Sequence, residues 1–362
     1  MTTDQIGTPR PQGSACDIGA IEVKSLSTTN GTIDSGSYVL TADITLTGTL
    51  HITQGVVSIE GNGFAIDGNN THRLFLVTNN AVLNLNQVTL RNGNGYGGSA
   101  ILNFGQANVL NSLILNNNAT YNGGAISNER GSMLFIGNTT ISGNTAGSSG
   151  GAIYNRGGIF TVNSTFSNNS AGNSGGAIFN NINSTFTVTN SSFSNNAATS
   201  SEGGAIFNNT KGNIEIQNST FSGNSAVNGG AIRNRGISTL TNNTISENSA
   251  TSLGGAIANT NTMSIINNII SNNTSTSGNC YNSGGAIADS GGNLEDTNTC
   301  GLSSGFNTNP LLGAFNGSYY PLQASSPAID AAPTCAGLFA DQIGTSRPQG
   351  SACDIGAIEY IN

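Results

Sequence analysis

The sequence predicts an all-β fold, a single-stranded parallel β-helix of about eleven rungs closed by a C-terminal cap. Three observations predict it. The tetrapeptide Gly-Gly-Ala-Ile begins at Gly123, Gly150, Gly175, Gly203, Gly229, Gly254 and Gly284, after a looser copy at Gly97, with spacings of 25 to 30 residues. An amide or acid follows each copy at a fixed phase: Asn103, Asn128, Asn155, Asn180, Asn208, Asn234, Asn259 and Asp289. Short segments of period two, such as Leu134-Phe135-Ile136 and Ile214-Glu215-Ile216, lie between the copies. Such alternation reads as strand, and no stretch sustains the 3.6-residue period of a helix.

Residues 1–24 read as the tail of a preceding repeat unit or an N-terminal cap, 25–300 as the β-helix and 301–362 as the cap. The rungs from Ile33 to Asn94 lack the tetrapeptide but keep alternating strands, as in Val56-Val57-Ser58-Ile59 and Leu83-Asn84-Leu85. From Gly97 onward each repeat holds about three short strands, too few to bury its own apolar residues. Stacking turns Ile126, Ile153, Ile178, Ile206, Ile232 and Ile257 into one inner column. The asparagines then form a structural ladder, their amides bonding from rung to rung at the strand spacing of about 4.8 Å. The paired glycines suit tight turns with positive φ. Beyond Cys300 the period stops and Pro310, Pro321, Pro327, Pro333 and Pro348 follow. A cap is expected there because an open last rung exposes unpaired strand edges.

Composition narrows the function. Of 362 residues 55 are asparagine and 50 glycine, 8% are charged, and the formal net charge is -8. Without a basic patch, nucleic acid is no expected partner. No apolar run approaches the ~18 residues of a membrane span. Met1-Thr2-Thr3-Asp4-Gln5 lacks the charged-then-apolar pattern of a signal segment. No motif calls for a cofactor or a metal.

Asp4 to Glu22 (DQIGTPRPQGSACDIGAIE) and Asp341 to Glu359 (DQIGTSRPQGSACDIGAIE) differ only at Pro9 and Ser346. The duplication implies one unit of a tandem array, with the tail of the previous unit in front. Cys335 and Cys353 form one candidate disulfide and Cys280 and Cys300 a second, which leaves Cys16 odd; a reduced chain would instead carry five free thiols. Oxidation is favoured, because a long Asn/Ser-rich solenoid with paired cysteines suits an extracellular setting.

Gly-Gly-Ala-Ile alternating with Phe-x-x-Asn (Phe166 to Asn169, Phe193 to Asn196, Phe221 to Asn224) resembles the repeats of the polymorphic outer-membrane protein family, autotransported bacterial adhesins. Asn309-Pro310-Leu311-Leu312, Ser326-Pro327-Ala328-Ile329-Asp330 and Cys353-Asp354-Ile355-Gly356-Ala357-Ile358-Glu359 are similar to the choice-of-anchor Q domain, which closes many secreted bacterial β-helix proteins. The two resemblances imply a right-handed, pectin-lyase-like solenoid and a location outside the cell or on its surface. The chain departs from them in showing no autotransporter barrel pattern and no anchor after Tyr360-Ile361-Asn362.

Pectate lyases and polysaccharide hydrolases share this architecture, so catalysis has to be argued from a site. Such chemistry requires two or three converging carboxylates. No aspartate lies between Asp67 and Asp289, and Glu129, Glu202, Glu215 and Glu247 sit at four different phases of the repeat. The remaining candidates are His51, Glu60, Asp67, His72 and Arg73 in the first rungs, read as turn acids and solvated histidines, with a cluster binding a metal or a sugar acid as the alternative. A candidate ligand face stands against the plainer reading of solvated strand residues that need no ligand. Thr140 and Ser142, Thr165 and Ser167, Ser192 and Ser194, Thr220 and Ser222, and Thr244 and Ser246 flank the inner column as a two-column hydroxyl lattice suited to a glycan or ice. Asp341, Arg347, Asp354 and Glu359 read as contacts that stabilise the cap. The sequence therefore describes a non-catalytic secreted or surface solenoid, structural and adhesin-like, with extracellular glycans or head-to-tail copies of itself as partners. A polysaccharide lyase or hydrolase is the alternative.

Overall fold

The computed structural model describes residues 24–27 and 29–361. Cys16 and the Asp4 to Glu22 copy of the duplicated segment, which makes up most of the 1–24 unit, lie outside the described residues. The rest is an all-β parallel solenoid without a helix, wound into about ten turns. Three long parallel sheets of 11, 12 and 11 strands run along it, with a narrow sheet of seven two- to five-residue strands beside them.

One turn shows how the sequence makes the path. Ile126–Asn128 lies in the first sheet, Met133–Gly137 in the second, Thr140–Ser142 in the third and Thr145–Ala146 in the narrow fourth. Single left-handed residues make the corners. Asn138 (φ 49°) turns the chain from second to third sheet, Gly143 (φ 67°) from third to fourth, and Gly150 (φ 72°) leads back to the first. Asparagine and glycine tolerate this geometry best, which accounts for much of the composition. The second glycine of each pair is needed for space instead, since a Cβ on Gly176 would collide with the backbone oxygen of Gly204 in the next rung.

The inner column expected from the repeats is present. Ile126, Ile153, Ile178, Ile206, Ile232 and Ile257 are fully buried. Opposite them Phe166, Phe193 and Phe221 stack in the third sheet with centroids 4.8 Å apart. Burying one such side chain stabilises the fold by roughly 1.5–3 kcal/mol, and the repeat does so on every rung.

The last turn departs from the repeat. Cys280–Asn282 takes the first-sheet place beside Ile257–Asn259, so Ala286–Asp289, from the eighth tetrapeptide copy, pairs with Thr262–Ile265 in the second sheet. Cys300, bridged to Cys280, and Leu302 close the end of the main core. The remainder of the C-terminal segment does not sit over that end. It folds back along the outer flank of the third sheet, where Leu322, Ala328, Ala332 and Ile355 form a second, small core on Ile269 and Leu294. Those two residues occupy outward positions of the third sheet, and their apolar surface draws the segment onto the flank.

Candidate functional site

The asparagine column forms a continuous ladder, buried from Asn103 to Asn259. Asn103 donates to Asn128 at 2.8 Å, Asn128 to Asn155 at 2.9 Å and Asn155 to Asn180 at 2.8 Å. Asn180 donates to Asn208, Asn208 to Asn234 and Asn234 to Asn259 at 2.8–2.9 Å. Its final member is Asn282, which accepts from Asn259 at 2.9 Å. The assignment of Asp289 to this ladder is thus corrected. The shifted last turn places its carboxylate on the amide and hydroxyl of Ser303 and on Asn293. A second ladder runs from Asn117 through Asn144, Asn169, Asn196, Asn224 and Asn248 to Asn273. A third, missed in the sequence, joins Asn243, Asn268 and Asn293. Ser164, Ser191 and Ser219 hold its place in earlier rungs, so a search for asparagine alone passes over it.

The open hydroxyl lattice is also corrected. Ser192, Ser194, Thr220, Ser222, Thr244 and Ser246 are buried, most of them beneath the C-terminal segment. Thr220 donates to Gln342 at 2.6 Å, Ser222 shares a hydrogen with the Tyr320 hydroxyl at 2.6 Å, and Thr244 accepts from the Ala357 amide at 3.1 Å. The face that read as a ligand platform is the seat of the chain's own tail. Thr140, Ser142, Thr165 and Ser167 stay half-buried at its uncovered end.

Arg347 and Glu359 hold that tail together as a fully buried ion pair, 2.6 Å apart. Arg347 also donates to the carbonyls of Asp354 and Gly356, and Asp341 accepts the Glu359 amide. Burial pushes the Glu359 and Asp354 carboxyls above their ordinary range, despite the nearby guanidinium. The structure links Cys280 to Cys300 and Cys335 to Cys353.

The first-rung candidates do not converge. His51 lies in a first-sheet strand, Glu60 ends a second-sheet strand and Asp67 ends a third-sheet strand. Glu60 accepts from Asn86 at 2.7 Å, and Arg73 donates to the carbonyls of Gly97 and Gly98. His72 sits in a turn, its carbonyl accepting the Asn94 amide. Asp67 pairs with Arg91 at 2.7 Å, and Arg91 reaches Asp43 at 3.3 Å. Burial opposes ionisation of Asp67, but Arg91, Asn69 and Asn92 outweigh it and hold the carboxyl below its usual range. The glutamates are equally dispersed. Glu129 pairs with Arg156 at 3.0 Å, Glu202 with Arg233 at 3.3 Å and Arg235 at 2.5 Å, Glu215 accepts from Gln217, and Glu247 accepts from Tyr320. Among the described residues no three His, Cys, Asp or Glu side chains stand close enough to hold a metal ion.

A different surface went unread in the sequence. The middle residue of each first-sheet strand points outward, and Tyr154, Phe179 and Phe207 stack there with centroids 5.2 and 4.8 Å apart. Arg235 lies over Phe207 at 5.4 Å. The signal was the aromatic x of Ile-x-Asn in successive copies, overlooked because its neighbours carry the period.

Residues 134–156, 163–181 and 218–235 match the Chlamydia polymorphic membrane protein repeat. No curated protein matches the chain. Among solved structures, the fold is similar to the crystal structure of pectate lyase Pel9A, with a TM-score of 0.52 and 16% identity over 94% of this chain and 88% of that one. At that identity the likeness extends to the fold and not to the activity. The chain is thus a parallel β-helix bearing repeats of the polymorphic membrane protein type on a path resembling that of a pectate lyase.

Proposed function

We propose that this protein is a non-catalytic adhesive solenoid, secreted or displayed on a bacterial surface as one unit of a larger tandem-repeat protein. The observation that carries this reading is the fate of the carboxylates. Glu60, Asp67, Glu129, Glu202 and Glu247 are each engaged by a structural partner and are spread over the rod. The two carboxylates that do approach each other, Asp43 and Asp67, are both held by Arg91, whereas polysaccharide cleavage requires free acids gathered around one bond. Repeats like those of polymorphic membrane proteins and two disulfides support an extracellular setting. The similarity of the tail to the choice-of-anchor Q domain supports the surface location. The duplicated Asp4 to Glu22 and Asp341 to Glu359 segments support the tandem arrangement and head-to-tail association of units.

Incubation with pectate and other polyuronates, with and without calcium, tests the reading. The expected result is no shortening of the polymer, together with saturable adhesion of the purified chain to cell or matrix surfaces. Turnover that disappears in Asp67→Ala would establish an enzyme instead.

A further inference from the structure

We propose that a groove on the outer face of the first sheet binds an oligosaccharide, whose rings lie against Tyr121 and Tyr154. The proposal rests on the adhesive reading and names its ligand. The ring column on this face stops abruptly. Phe179 covers one face of Tyr154, and the other face looks toward the preceding rung, where the register partner of Tyr154 is Ser127. No ring continues the stack there, and a cavity of about 490 Å³ opens over Leu102 and Ser127. Tyr96 and Tyr121, stacked at 5.3 Å, line it as well. Their exposures of 71% and 48%, with 39% for nearby Phe104, leave an aromatic surface that folding does not account for.

The rim is polar and already ordered. Glu129 is held by Arg156 at 3.0 Å and by the Ser127 hydroxyl at 2.7 Å, and Arg73 is fixed by the Gly97 and Gly98 carbonyls at 2.9 and 3.1 Å. A sugar ring presents an apolar C–H face bordered by hydroxyls, and ring faces beside a carboxylate and guanidinium groups complement both parts. An extended peptide fits less well. It would need free backbone donors and acceptors, and here these are paired between rungs, as in Ile126 to Ala152 and Ile153 to Ala177 at 2.9 Å. Among the described residues Glu129 is the one carboxylate lining the groove, which suits holding a glycan and not cutting it.

The test uses the intact chain with cellohexaose, a neutral probe, and hexagalacturonate, an acidic one. Binding is followed by calorimetry and by tyrosine emission, which no tryptophan masks. The expected result is saturable binding of at least one probe, weakened about tenfold or more by Tyr121→Ala, the loss of one platform. Ser127→Phe, which extends the ring stack into the groove, is expected to abolish it. Far-UV circular dichroism confirms that each variant is folded, and the half-exposed Tyr121 position keeps the test decisive if Ser127→Phe does not fold. No binding of either probe, or binding that both variants leave unchanged, overturns the proposal. Adhesion to protein-coated surfaces without oligosaccharide binding would remove the groove assignment and leave the adhesive reading intact. Binding followed by shortening of the probe would do the reverse.

Discussion

Asn155 accepts from Asn128 at 2.9 Å and from the Gly157 amide at 3.0 Å, and it donates to Asn180 at 2.8 Å and to the Thr185 carbonyl at 3.0 Å. One buried amide thus satisfies groups on three successive rungs. Asn155→Ala leaves buried donors and acceptors on both neighbours without partners and is expected to lower stability by about 1–3 kcal/mol. Gly176→Ala forces a Cβ onto backbone oxygen and is expected to cost a similar ~1–3 kcal/mol. Exposed Asn173, changed to alanine, should stay within about 0.5 kcal/mol of the parent. Denaturant midpoints compare all three, and an unaffected Asn155→Ala would show the ladder to be dispensable. The phase of the ladder was legible because a solenoid converts sequence period into spatial alignment. The misplacement of Asp289 was not, because register in the last turn depends on which segment reaches the first sheet, and Cys280–Asn282 occupies it.

Among the elements, the last strand of the third sheet carries Glu295, which organises the end of the main core. It accepts the amides of Thr299 and Cys300 at 2.9 and 3.0 Å and the hydroxyl of Thr299 at 2.7 Å. Burial resists its ionisation, but the hydroxyls of Thr297 and Thr299 and these amides outweigh it, holding the carboxyl below its ordinary range. A carboxyl lowered on folding contributes stability above its unfolded value, about 4.3, and loses it as the pH falls through the folded value. The denaturation midpoint should therefore drop as the pH is taken below about 4, and Glu295→Gln should flatten that dependence. An equally steep acid response in the variant would locate the effect elsewhere, with Asp289, lowered in the same direction, the first alternative. The back-folded tail could not be anticipated from periodicity, since its segment has none. Its contacts pair residues far apart in sequence, such as Asn218 with Ala340.

The whole molecule couples two modes of construction. Rungs touch mainly their neighbours, so stability spreads along the rod as a sum of local terms. The tail instead reaches several rungs at once, bonding Asn218, Thr220, Thr244 and Asn267 and packing on Ile269 and Leu294. Reduction of Cys335–Cys353 is expected to loosen the tail and raise hydrogen exchange in rungs 218–295, while rungs 81–160 keep their protection. Mass spectrometry of exchange reads this directly, and a uniform rise along the rod would contradict the local coupling.

The linear order of residues is enough to specify the solenoid, its inner isoleucine column and the asparagine ladder, because each is a repeated local choice that stacking amplifies. It also marks both cysteine pairs by position. Which outer faces remain open is settled in the folded chain alone. The hydroxyl lattice, regular enough to read as a platform, lies largely under the tail, while Tyr96 and Tyr121 at the groove beside Ser127 stand exposed. Burial of a surface depends on what folds against it from elsewhere in the chain, and no period within the covered surface records that.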